Sequence, residues 1–392
     1  MNRADAIDLT ICGSFGFGNA GDEAVPAAIA DIAVHLGIEI APHVVGRFDE
    51  PAMPEVIGLG AADAQRREML RGHPLVMSGG GIIENKPSAT LLRCESLLQR
   101  TFASQACLFG ISVEPGVSYG WACKWRLRRC LRRFERVYTR DVLSAATLSR
   151  NFPNVGAETI GDLVLWLHPD AGELPTGLKI PERFIAVVLS RRWSQDEKWR
   201  AWISTELHAL CRELHASIVF VPMSSLHDDD REEHRAVAAK LALLKPEVDV
   251  LSIESRLSPR AVAYLLGKSN LVVSMRLHGC VMAYAQQTAF IGLAYHPKVY
   301  GFSKTVGWGH ALLPEAIPER QSSQTYGYRF SDLQISNGQL ISRASACLSR
   351  SDFSRLSQLK QRSAEVFRDF LAEAAAPSGS AAIRHHQDSR DG

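Results

Sequence analysis

Arg276, His278 and Lys298 are the residues of this chain whose types and spacing are best suited to chemistry. A guanidinium fork and an ammonium group bind carboxylates and phosphates, and an imidazole exchanges protons near neutral pH. Together they suit an anionic substrate whose conversion needs a proton transfer. Each of the three taken alone is more often a solvated charge or a structural hydrogen-bonding group, so the prediction depends on their lying together.

The elements that must position these residues are two short apolar strands. Residues 271–273 predict a buried strand ending just before Arg276, and residues 290–294 predict a second strand ending before Lys298. A short helix is predicted between the two strands, at 281–287. In an open parallel sheet, the loops beyond the carboxyl ends of the strands form the ligand crevice. We therefore expect the three candidate side chains to converge at one edge of a sheet.

A glycine-rich turn near the start of the chain has the layout of a phosphate-binding site. Residues 7–12 predict a strand, and the stretch 13–21 that follows leads into a helix predicted from about Asp22 to Leu36. Backbone N–H groups and a helix N-terminus at such a turn bind anions. The spacing matches neither a Walker loop nor a full dinucleotide fingerprint. Asp22 is expected either to contact a ligand or to cap the helix.

A second glycine-rich turn follows the apolar run 75–77. Ser78 is followed by three glycines, Gly79, Gly80 and Gly81. Glycines at a strand end allow a ligand or another backbone segment to approach closely. This turn is therefore a second candidate for contact with a substrate.

A basic amphipathic helix is predicted within residues 119–137. Apolar residues recur there at helical spacing: Trp121, Trp125, Leu127, Leu131 and Phe134. Cations cover the rest: Lys124, Arg126, Arg128, Arg129, Arg132, Arg133 and Arg136. Such a helix can lie on an anionic membrane surface. A surface helix whose apolar stripe packs against its own domain is the favoured interpretation, and both hold together if the substrate is linked to a lipid.

Composition restricts the class of protein. The chain has 392 residues, 46% of them hydrophobic and 22% charged, which is typical of a soluble globular protein with two domains. The net charge of +2 argues against a nucleic-acid-binding protein. Eight scattered cysteines without a CxxC pair indicate reduced thiols rather than disulfides or a zinc site. The N-terminus resembles no signal peptide and no run of about 18 apolar residues occurs, so we expect a cytoplasmic protein.

Strands and helices alternate twice along the chain. This alternation predicts an α/β fold of two doubly wound Rossmann-like domains facing a cleft. We expect an N-terminal domain at 1–175 and a C-terminal domain at 176–345, joined near the proline- and glycine-containing stretch 169–181. A final helix at 346–376 is predicted to pack back across the domains, and 377–392 is predicted to be a disordered tail.

Several motifs, in order, resemble those of the polysaccharide pyruvyl transferase family. They are GSFGFGNAGDEA near the start, SGGGIIE at Ser78, YTRDVLS at Tyr138, GDLVLWL at Gly161, and SMRLHG followed by AYHPKVYGF. The resemblance covers roughly residues 8 to 305. It implies a GT-B-type fold and the transfer of a pyruvate unit from phosphoenolpyruvate onto a sugar of a cell-surface polysaccharide or exopolysaccharide, or of its lipid-linked precursor, as a ketal.

The resemblance also implies roles for individual residues. Arg140, Arg276 and Lys298 match the positions implied to hold phosphoenolpyruvate, on the side of the C-terminal domain. His278 is the candidate general acid, because formation of the ketal requires protonation of C3 of the enol. A bound phosphate would raise the pKa of His278 and keep it protonated.

The N-terminal side of the cleft is expected to hold the acceptor saccharide. Its candidate contacts are Asn19, Asp22, Gly79, Gly80 and Gly81. We expect no metal and no cofactor, because cationic side chains can stabilise the charges of the donor and no carboxylate cluster stands near the motif.

Two other functions fit the sequence. A GT-B-type glycosyltransferase using a nucleotide sugar would have the same two domains and glycine-rich turns. A catalytically idle binding protein of the same fold, recruited to a membrane assembly by the basic helix, would tolerate the loss of His278.

Overall fold

A computed structural model of the chain provides the tertiary structure. The residues that it describes are 6–46, 57–58, 68–83, 91–92, 95, 97–98, 105–114, 119–191, 196–226, 228–315 and 336–375. The predicted tail at 377–392 lies outside the described residues.

In the described part of the chain, eight strands, all paired in parallel, form a first sheet. They are β1 (Ile7–Gly13), β2 (Ile40–Gly46), β3 (Ile57–Gly58), β4 (Leu75–Ser78), β5 (Gly81–Ile83), β6 (Ala106–Val113), β7 (Arg136–Thr139) and β8 (Ala157–Thr159). The strand order is β3-β2-β1-β4-β6-β7-β8, and β5 pairs with β6. The central strands β4 and β6 are buried along their whole length, as expected of parallel strands covered on both faces.

A second parallel sheet contains six strands among the described residues. They are β9 (Phe184–Val188), β10 (Ser217–Phe220), β11 (Val250–Ser252), β12 (Leu271–Ser274), β13 (Phe290–Leu293) and β14 (Leu312–Leu313). Their order is β11-β10-β9-β12-β13-β14. The direction of chain progression reverses between β9 and β12, as it does between β1 and β4 in the first sheet. Ligands of doubly wound sheets bind at such points, beyond the carboxyl ends of the strands.

Helices connect the strands and cover both sheets. Those longer than two turns in the described residues are α1 (Ala20–Leu36), α2 (Trp121–Leu131), α3 (Val142–Asn151), α4 (Glu197–Leu214), α5 (Asp230–Leu241), α6 (Pro259–Lys268), α7 (Leu277–Ala285), α8 (Pro297–Thr305), α9 (Gln339–Ser349) and α10 (Ser354–Ala375). Two of them start earlier than their sequence patterns predict: α1 at Ala20 and α7 at Leu277.

The early start of α1 changes the role of Asp22. Asn19 is the N-cap, and its side-chain oxygen accepts a hydrogen bond from the backbone N–H of Gly21. The prediction that Asp22 caps this helix was therefore wrong. Asp22 lies in the first turn, where its carboxylate accepts a hydrogen bond of 2.8 Å from Asn19 Nδ2.

The two domains contact each other through the start of α1. A short antiparallel bridge joins Asn19 to Ser224, and the N–H of Ala20 donates to the carbonyl of Met223 at 2.7 Å. Farther along α1, Arg260 of the second domain forms a two-pronged ion pair with Asp31. The cleft between the domains is thus closed on one side by backbone contacts.

The last helix, α10, packs on the first domain. Trp166 donates to the hydroxyl of Ser363 at 2.8 Å, and Arg362 pairs with Glu158. The chain therefore returns to its first domain after completing the second, and the two sheets are held by a common apolar core.

The basic helix is shorter than predicted, and its apolar stripe is split. Leu127, Leu131 and Phe134 are buried against the first domain, as expected for a helix that packs on its own domain. Trp121 is 84% exposed and Trp125 is 61% exposed, so the prediction that the whole stripe packs on the domain was wrong for these two residues.

The architecture confirms the predicted fold of two Rossmann-like α/β domains facing a cleft. The predicted domain boundary at 175 and 176 falls between β8 and β9. No helix in the described ranges is both long enough and apolar enough to cross a membrane.

Candidate active site

The cleft between the domains brings the candidate residues together at the carboxyl edges of both sheets. Its volume is about 360 Å³, at the small end of the range of roughly 300–1,000 Å³ typical of ligand pockets. Its lining consists of Asn19, Asp22, Gly80, Gly81, Ser112, Glu114, Arg140, Met223, Arg276, Leu277, His278, His296 and Lys298. All four residues implied to bind and protonate phosphoenolpyruvate are among them.

Arg140 follows β7 and is only 5% exposed. Its Nε lies 3.5 Å from an oxygen of Asp141, and its Nη1 lies 3.9 Å from an oxygen of Asp162. Both distances are too long for good hydrogen bonds, and the buried Nε has no hydrogen-bond partner in the described structure. Burial raises the pKa of Asp141 and of Asp162, and Arg140 opposes that rise. Arg140 therefore has donors available for an anion that enters the cleft.

Arg276 precedes α7 and is held by two carboxylates at the start of α5. Its Nε donates to Asp230 at 2.7 Å, and its Nη2 donates to Asp228 at 2.9 Å and to Asp230. Burial opposes the charged form of Arg276, but the two carboxylates outweigh burial and raise its pKa. Burial also raises the pKa of Asp230 to about 6, against the effect of Arg276.

Asp228 and Asp230 were missed as site residues by the sequence analysis. They precede Arg276 by more than forty positions, and acidic residues at a helix start suggest only a cap. Asp230 also accepts the backbone N–H groups of Met223 and Ser224, the loop that contacts the other domain. Asp230 therefore holds both Arg276 and the loop at Met223, which lines the cleft.

Lys298 lies in the first turn of α8. Among the residues that the structure describes, none forms a hydrogen bond or ion pair with its Nζ. Burial is the main cause that lowers the pKa of Lys298 to about 8; Arg140 and Arg276 contribute to this shift, and Asp22 opposes it. The ammonium is still mostly charged at neutral pH, and its cationic neighbours make an anion favourable in the cleft.

His278 is the second residue of α7 and is 8% exposed. Its Nε2 lies 3.6 Å from an oxygen of Asp162. Burial is the main cause that lowers the pKa of His278 to about 3; Arg140, Lys298 and Arg276 contribute to this shift, and Asp22 opposes it. The imidazole is therefore neutral in the ligand-free protein, and the protonated form expected from the sequence would require a bound anion.

Glu114 and His296 form a second titratable pair that the sequence analysis did not assign to the site. His296 Nε2 lies 3.5 Å from an oxygen of Glu114. His296 also caps α8, and its Nδ1 accepts the backbone N–H of Lys298 at 3.2 Å. Because Nδ1 is an acceptor, the proton of the neutral ring is on Nε2, the nitrogen nearer Glu114. The sequence signal for His296 was its position after β13, the same signal that indicated Lys298.

The glycine-rich turns contribute unequally to the cleft. Gly80 and Gly81 line it together with Asn19 and Asp22. Gly79 is not among the lining residues; it has a φ of +77°, and a Cβ there would lie 3.3 Å from the ring of Phe15. Its role is therefore to turn the chain and pack on the first domain.

A cluster of three residues of metal-ligating types lies away from this cleft. Within the described ranges, the histidine, cysteine and acidic side chains whose ligand atoms approach closely enough for a shared metal ion are Asp8, His43 and His73. They lie on the β1–β2–β4 side of the first sheet, toward the amino ends of its strands, whereas the cleft lies at the carboxyl ends. Nε2 of His43 lies 2.8 Å from an oxygen of Asp8, so these two side chains form a hydrogen bond that needs no metal ion.

The sequence matches the family model described as polysaccharide pyruvyl transferase over residues 19–297. The matched range contains Arg140, Arg276 and His278 and ends one residue before Lys298. No curated protein matches the chain.

Solved structures with the same fold are similar over almost the whole chain. The UDP-GlcNAc 2-epimerase of Methanocaldococcus jannaschii has 11% identity and a TM-score of 0.59, with 93% of this chain and 100% of that chain covered. The S. aureus MnaA–UDP structure has 12% identity and a TM-score of 0.57, with 94% and 97% covered. The Neisseria meningitidis UDP-GlcNAc 2-epimerase bound to UDP-GlcNAc has 12% identity and a TM-score of 0.55, with 93% and 99% covered. At such low identity these likenesses show the GT-B-type fold alone.

Proposed function

Because the chain belongs to the polysaccharide pyruvyl transferase family, we propose that it transfers a pyruvate unit from phosphoenolpyruvate to a saccharide. The product is a ketal on a sugar of a cell-surface polysaccharide or exopolysaccharide, or on the lipid-linked precursor of that sugar. The observation that carries this proposal is the cluster of three cations, Arg140, Arg276 and Lys298, around His278 in one cleft.

The cations suit the two anionic groups of the donor. Arg140 and Lys298 have N–H groups available toward the cleft, and Arg276 is held in place by Asp228 and Asp230. Hydrogen bonds between charged groups contribute about 1.5–3 kcal/mol each. The carboxylate and phosphate of phosphoenolpyruvate would satisfy these donors and reduce the repulsion among the three cations.

The first chemical step is protonation of the donor. His278 gives a proton to C3 of the enol, and C2 becomes oxocarbenium-like. A sugar hydroxyl adds to C2 and loses its proton to a base. The cleft offers the carboxylate of Glu114 for this second role. His296 orients that carboxylate, because its Nδ1 accepts the N–H of Lys298 and its Nε2 lies 3.5 Å from Glu114.

The second step closes the ketal. Another hydroxyl of the same sugar attacks C2, the bond from C2 to the phosphate oxygen breaks, and phosphate leaves with the second hydroxyl proton. One donor and one diol thus give one ketal and one inorganic phosphate. Cationic side chains suffice to stabilise the leaving phosphate, so the proposal includes no metal and no cofactor.

The test combines binding and turnover. Phosphoenolpyruvate binding is measured by calorimetry, and phosphate release is measured with a pool of lipid-linked and nucleotide-linked saccharides. Arg140→Gln is expected to weaken binding roughly 10–100-fold by removing a charged donor. His278→Gln is expected to retain binding and to lower turnover roughly 10²–10⁴-fold. Arg235→Gln, an exposed surface variant, is the control and should behave as the wild type.

Arg276 is a poor first target, because its removal leaves Asp230 buried without a counter-ion and loss of binding could then reflect unfolding. If the folded wild type fails to bind phosphoenolpyruvate but binds a nucleotide sugar, the donor assignment is wrong. If acceptor-dependent phosphate release survives in His278→Gln, the role of this residue is wrong. A protein with no turnover, whose biological phenotype survives His278→Gln, would be the idle binding protein.

A further inference from the structure

The surface of α2 exposes aromatic and cationic side chains side by side. We refer to Trp121, Trp125, Arg128, Arg129 and Arg132 as the basic surface; all five are exposed. The guanidinium of Arg129 lies 6.0 Å from the centre of the Trp125 ring. Nothing in the proposed chemistry of the cleft uses these residues.

No carboxylate among the described residues pairs with the arginines of the basic surface. Arg133 pairs with Glu95, and Arg136 pairs with Glu373, so the charges of these two arginines are already balanced. In the portion of the chain that the structure describes, Arg128, Arg129 and Arg132 form no ion pair. The segment from Trp121 to Phe134 contains no acidic residue, whereas the whole chain has a net charge of only +2. The positive charge is therefore concentrated on one face.

The exposure of the tryptophans is the second, independent observation. Trp121 and Trp125 are 84% and 61% exposed, although burial of such large rings is strongly favourable. Tryptophan, with an apolar ring and a polar N–H, prefers the boundary between lipid headgroups and acyl chains. Two exposed tryptophans beside arginines are therefore better suited to contact with a membrane surface than to contact with water.

Shallow grooves cross the same face. One is lined by Trp125 and by Arg128, Arg129, Arg132 and Arg133. The next is lined by Arg128, Arg132 and residues 152–155. Arg128 and Arg132 border both grooves, so each groove presents guanidinium groups to whatever occupies it. Guanidinium groups bind phosphate oxygens with two parallel hydrogen bonds.

The position of α2 in the fold relates this face to the cleft. The helix follows β6, whose carboxyl end supplies Ser112 and Glu114 to the cleft. A helix that connects two parallel strands runs back from the carboxyl edge of the sheet to its amino edge. Trp121 and Trp125, in the first two turns, therefore lie toward the edge of the domain where the cleft opens.

We propose that the basic surface docks the protein on a bilayer containing anionic phospholipids. The tryptophans lie at the headgroup boundary, and the arginines contact lipid phosphates. Docking would hold the mouth of the cleft near an acceptor attached to a lipid, a consequence that rests on the proposed function. The docking itself does not depend on catalysis.

Vesicle co-sedimentation tests the docking without donor or acceptor. Full-length protein is mixed with phosphatidylcholine vesicles and with vesicles containing phosphatidylglycerol, at low and high salt. We expect binding to the anionic vesicles only, weakened by salt because exposed charges are screened. Arg128→Glu combined with Arg129→Glu is expected to weaken binding at least tenfold, since each nearby cation contributes roughly fivefold. Trp121→Ala with Trp125→Ala should weaken binding and leave its salt dependence in place.

Matched controls lie on the second domain. Lys198→Glu with Arg212→Glu makes the same charge change on exposed positions of α4, and Leu243→Ala removes an apolar side chain that is 80% exposed. Both should bind vesicles as the wild type does. Three outcomes would overturn the proposal: equal binding to neutral vesicles, no binding to vesicles, or unchanged binding by the arginine variant. After either of the last two outcomes, an acidic protein would be the partner to test for the basic surface. Phosphoenolpyruvate binding by the same variants separates this result from the fate of the proposed function.

Discussion

His278 holds a neutral imidazole in a site whose proposed reaction needs a proton donor. The pKa of about 3 results first from burial and then from Arg140, Lys298 and Arg276. A donor that carries a carboxylate and a phosphate would reverse the electrostatic part of this shift. Proton uptake would then accompany binding, so the acid would be loaded only when its substrate is present.

The first prediction concerns that proton. At pH 7 the wild type should take up as much as one more proton per bound phosphoenolpyruvate than His278→Gln does. Because binding is coupled to uptake, wild-type affinity should rise relative to the variant as the pH falls from 8 to 6. Calorimetry in two buffers of different ionisation enthalpy measures the uptake. Identical uptake by both proteins would assign the proton to another group, with Lys298 the next candidate because its pKa is about 8.

The charge of Lys298, which the proposed function needs, opposes folding. Its pKa is lowered from 10.5 to about 8 in the folded protein, so folding is opposed by the charged form at every pH below 8. This opposition is relieved as the pH rises from 8 toward 10.5. Since Lys298 borders the open cleft, solvent reduces the cost to about 1–2 kcal/mol.

The second prediction follows from that cost. Lys298→Met should increase the free energy of unfolding by about 1–2 kcal/mol at pH 7, because a half-buried cation beside other cations is removed. The gain should shrink at pH 9.5, and phosphoenolpyruvate binding should be lost at both. Urea denaturation at the two pH values measures the gain. A destabilised variant at pH 7 would mean that Lys298 has a stabilising partner.

At the scale of elements, the start of α1 and the start of α7 meet across the domain interface. Gly21 lies against the imidazole of His278, and a Cβ at position 21 would lie 2.2 Å from Nδ1 of that ring. The contact comprises ring atoms held in a buried helix, so the ring would have to move. The absence of a side chain at Gly21, in the first turn of α1, therefore leaves room for the imidazole of His278, the proposed general acid.

The third prediction tests this contact. Gly21→Ala should lower turnover about a hundredfold, since a displacement of about 1 Å of a catalytic group has that effect. Gly156→Ala is the control, because a Cβ there would meet no atom within 4 Å. Steady-state kinetics with the functional acceptor compares the two. Full activity of Gly21→Ala would show that the helix starts can separate without cost to the reaction.

At the scale of the whole molecule, the cleft exists because the domains are clamped together. Arg260 in α6 donates to both carboxylate oxygens of Asp31 in α1 at 2.8 and 2.9 Å, and to the carbonyl of His168 at 2.8 Å. Asp31 also accepts the N–H of His168 at 2.9 Å. This partly buried network joins both domains to the connection between them.

The fourth prediction concerns this clamp. Arg260→Ala should lower the free energy of unfolding by about 1–3 kcal/mol, because Asp31 loses its two-pronged partner in a mostly buried position. It should also raise the KM for phosphoenolpyruvate, since the proposed donor site takes Arg140 from one domain and Arg276 and Lys298 from the other. Arg235→Ala, which breaks an exposed pair with Glu254 within one domain, should change stability by less than about 1 kcal/mol. If the two variants change stability and KM equally, the Arg260–Asp31 pair does not hold the domains together more strongly than a surface ion pair would.

Much of this protein was predictable from local sequence patterns. Apolar runs such as 184–189 and 271–273 are long enough for strands and too short for helices, and polar residues follow them at once. Their alternation with helical patterns predicted two parallel sheets. Parallel strands place their carboxyl ends at one edge. That rule sufficed to predict that Arg276, His278 and Lys298 meet at one edge of a sheet. Arg140 follows a strand of the other sheet, and its place in the site was implied by the family resemblance.

Other properties depended on contacts between residues far apart in the chain. Asp230 holds Arg276, Glu114 faces His296, and Gly21 touches His278, although no local pattern connects these partners. The pKa of His278 and the exposure of Trp121 likewise depend on which distant parts of the chain lie beside these residues. Periodicity records which face of an element is apolar, because that depends on the element alone. Burial and electrostatic fields depend on what packs against that face, and only the tertiary structure decides that.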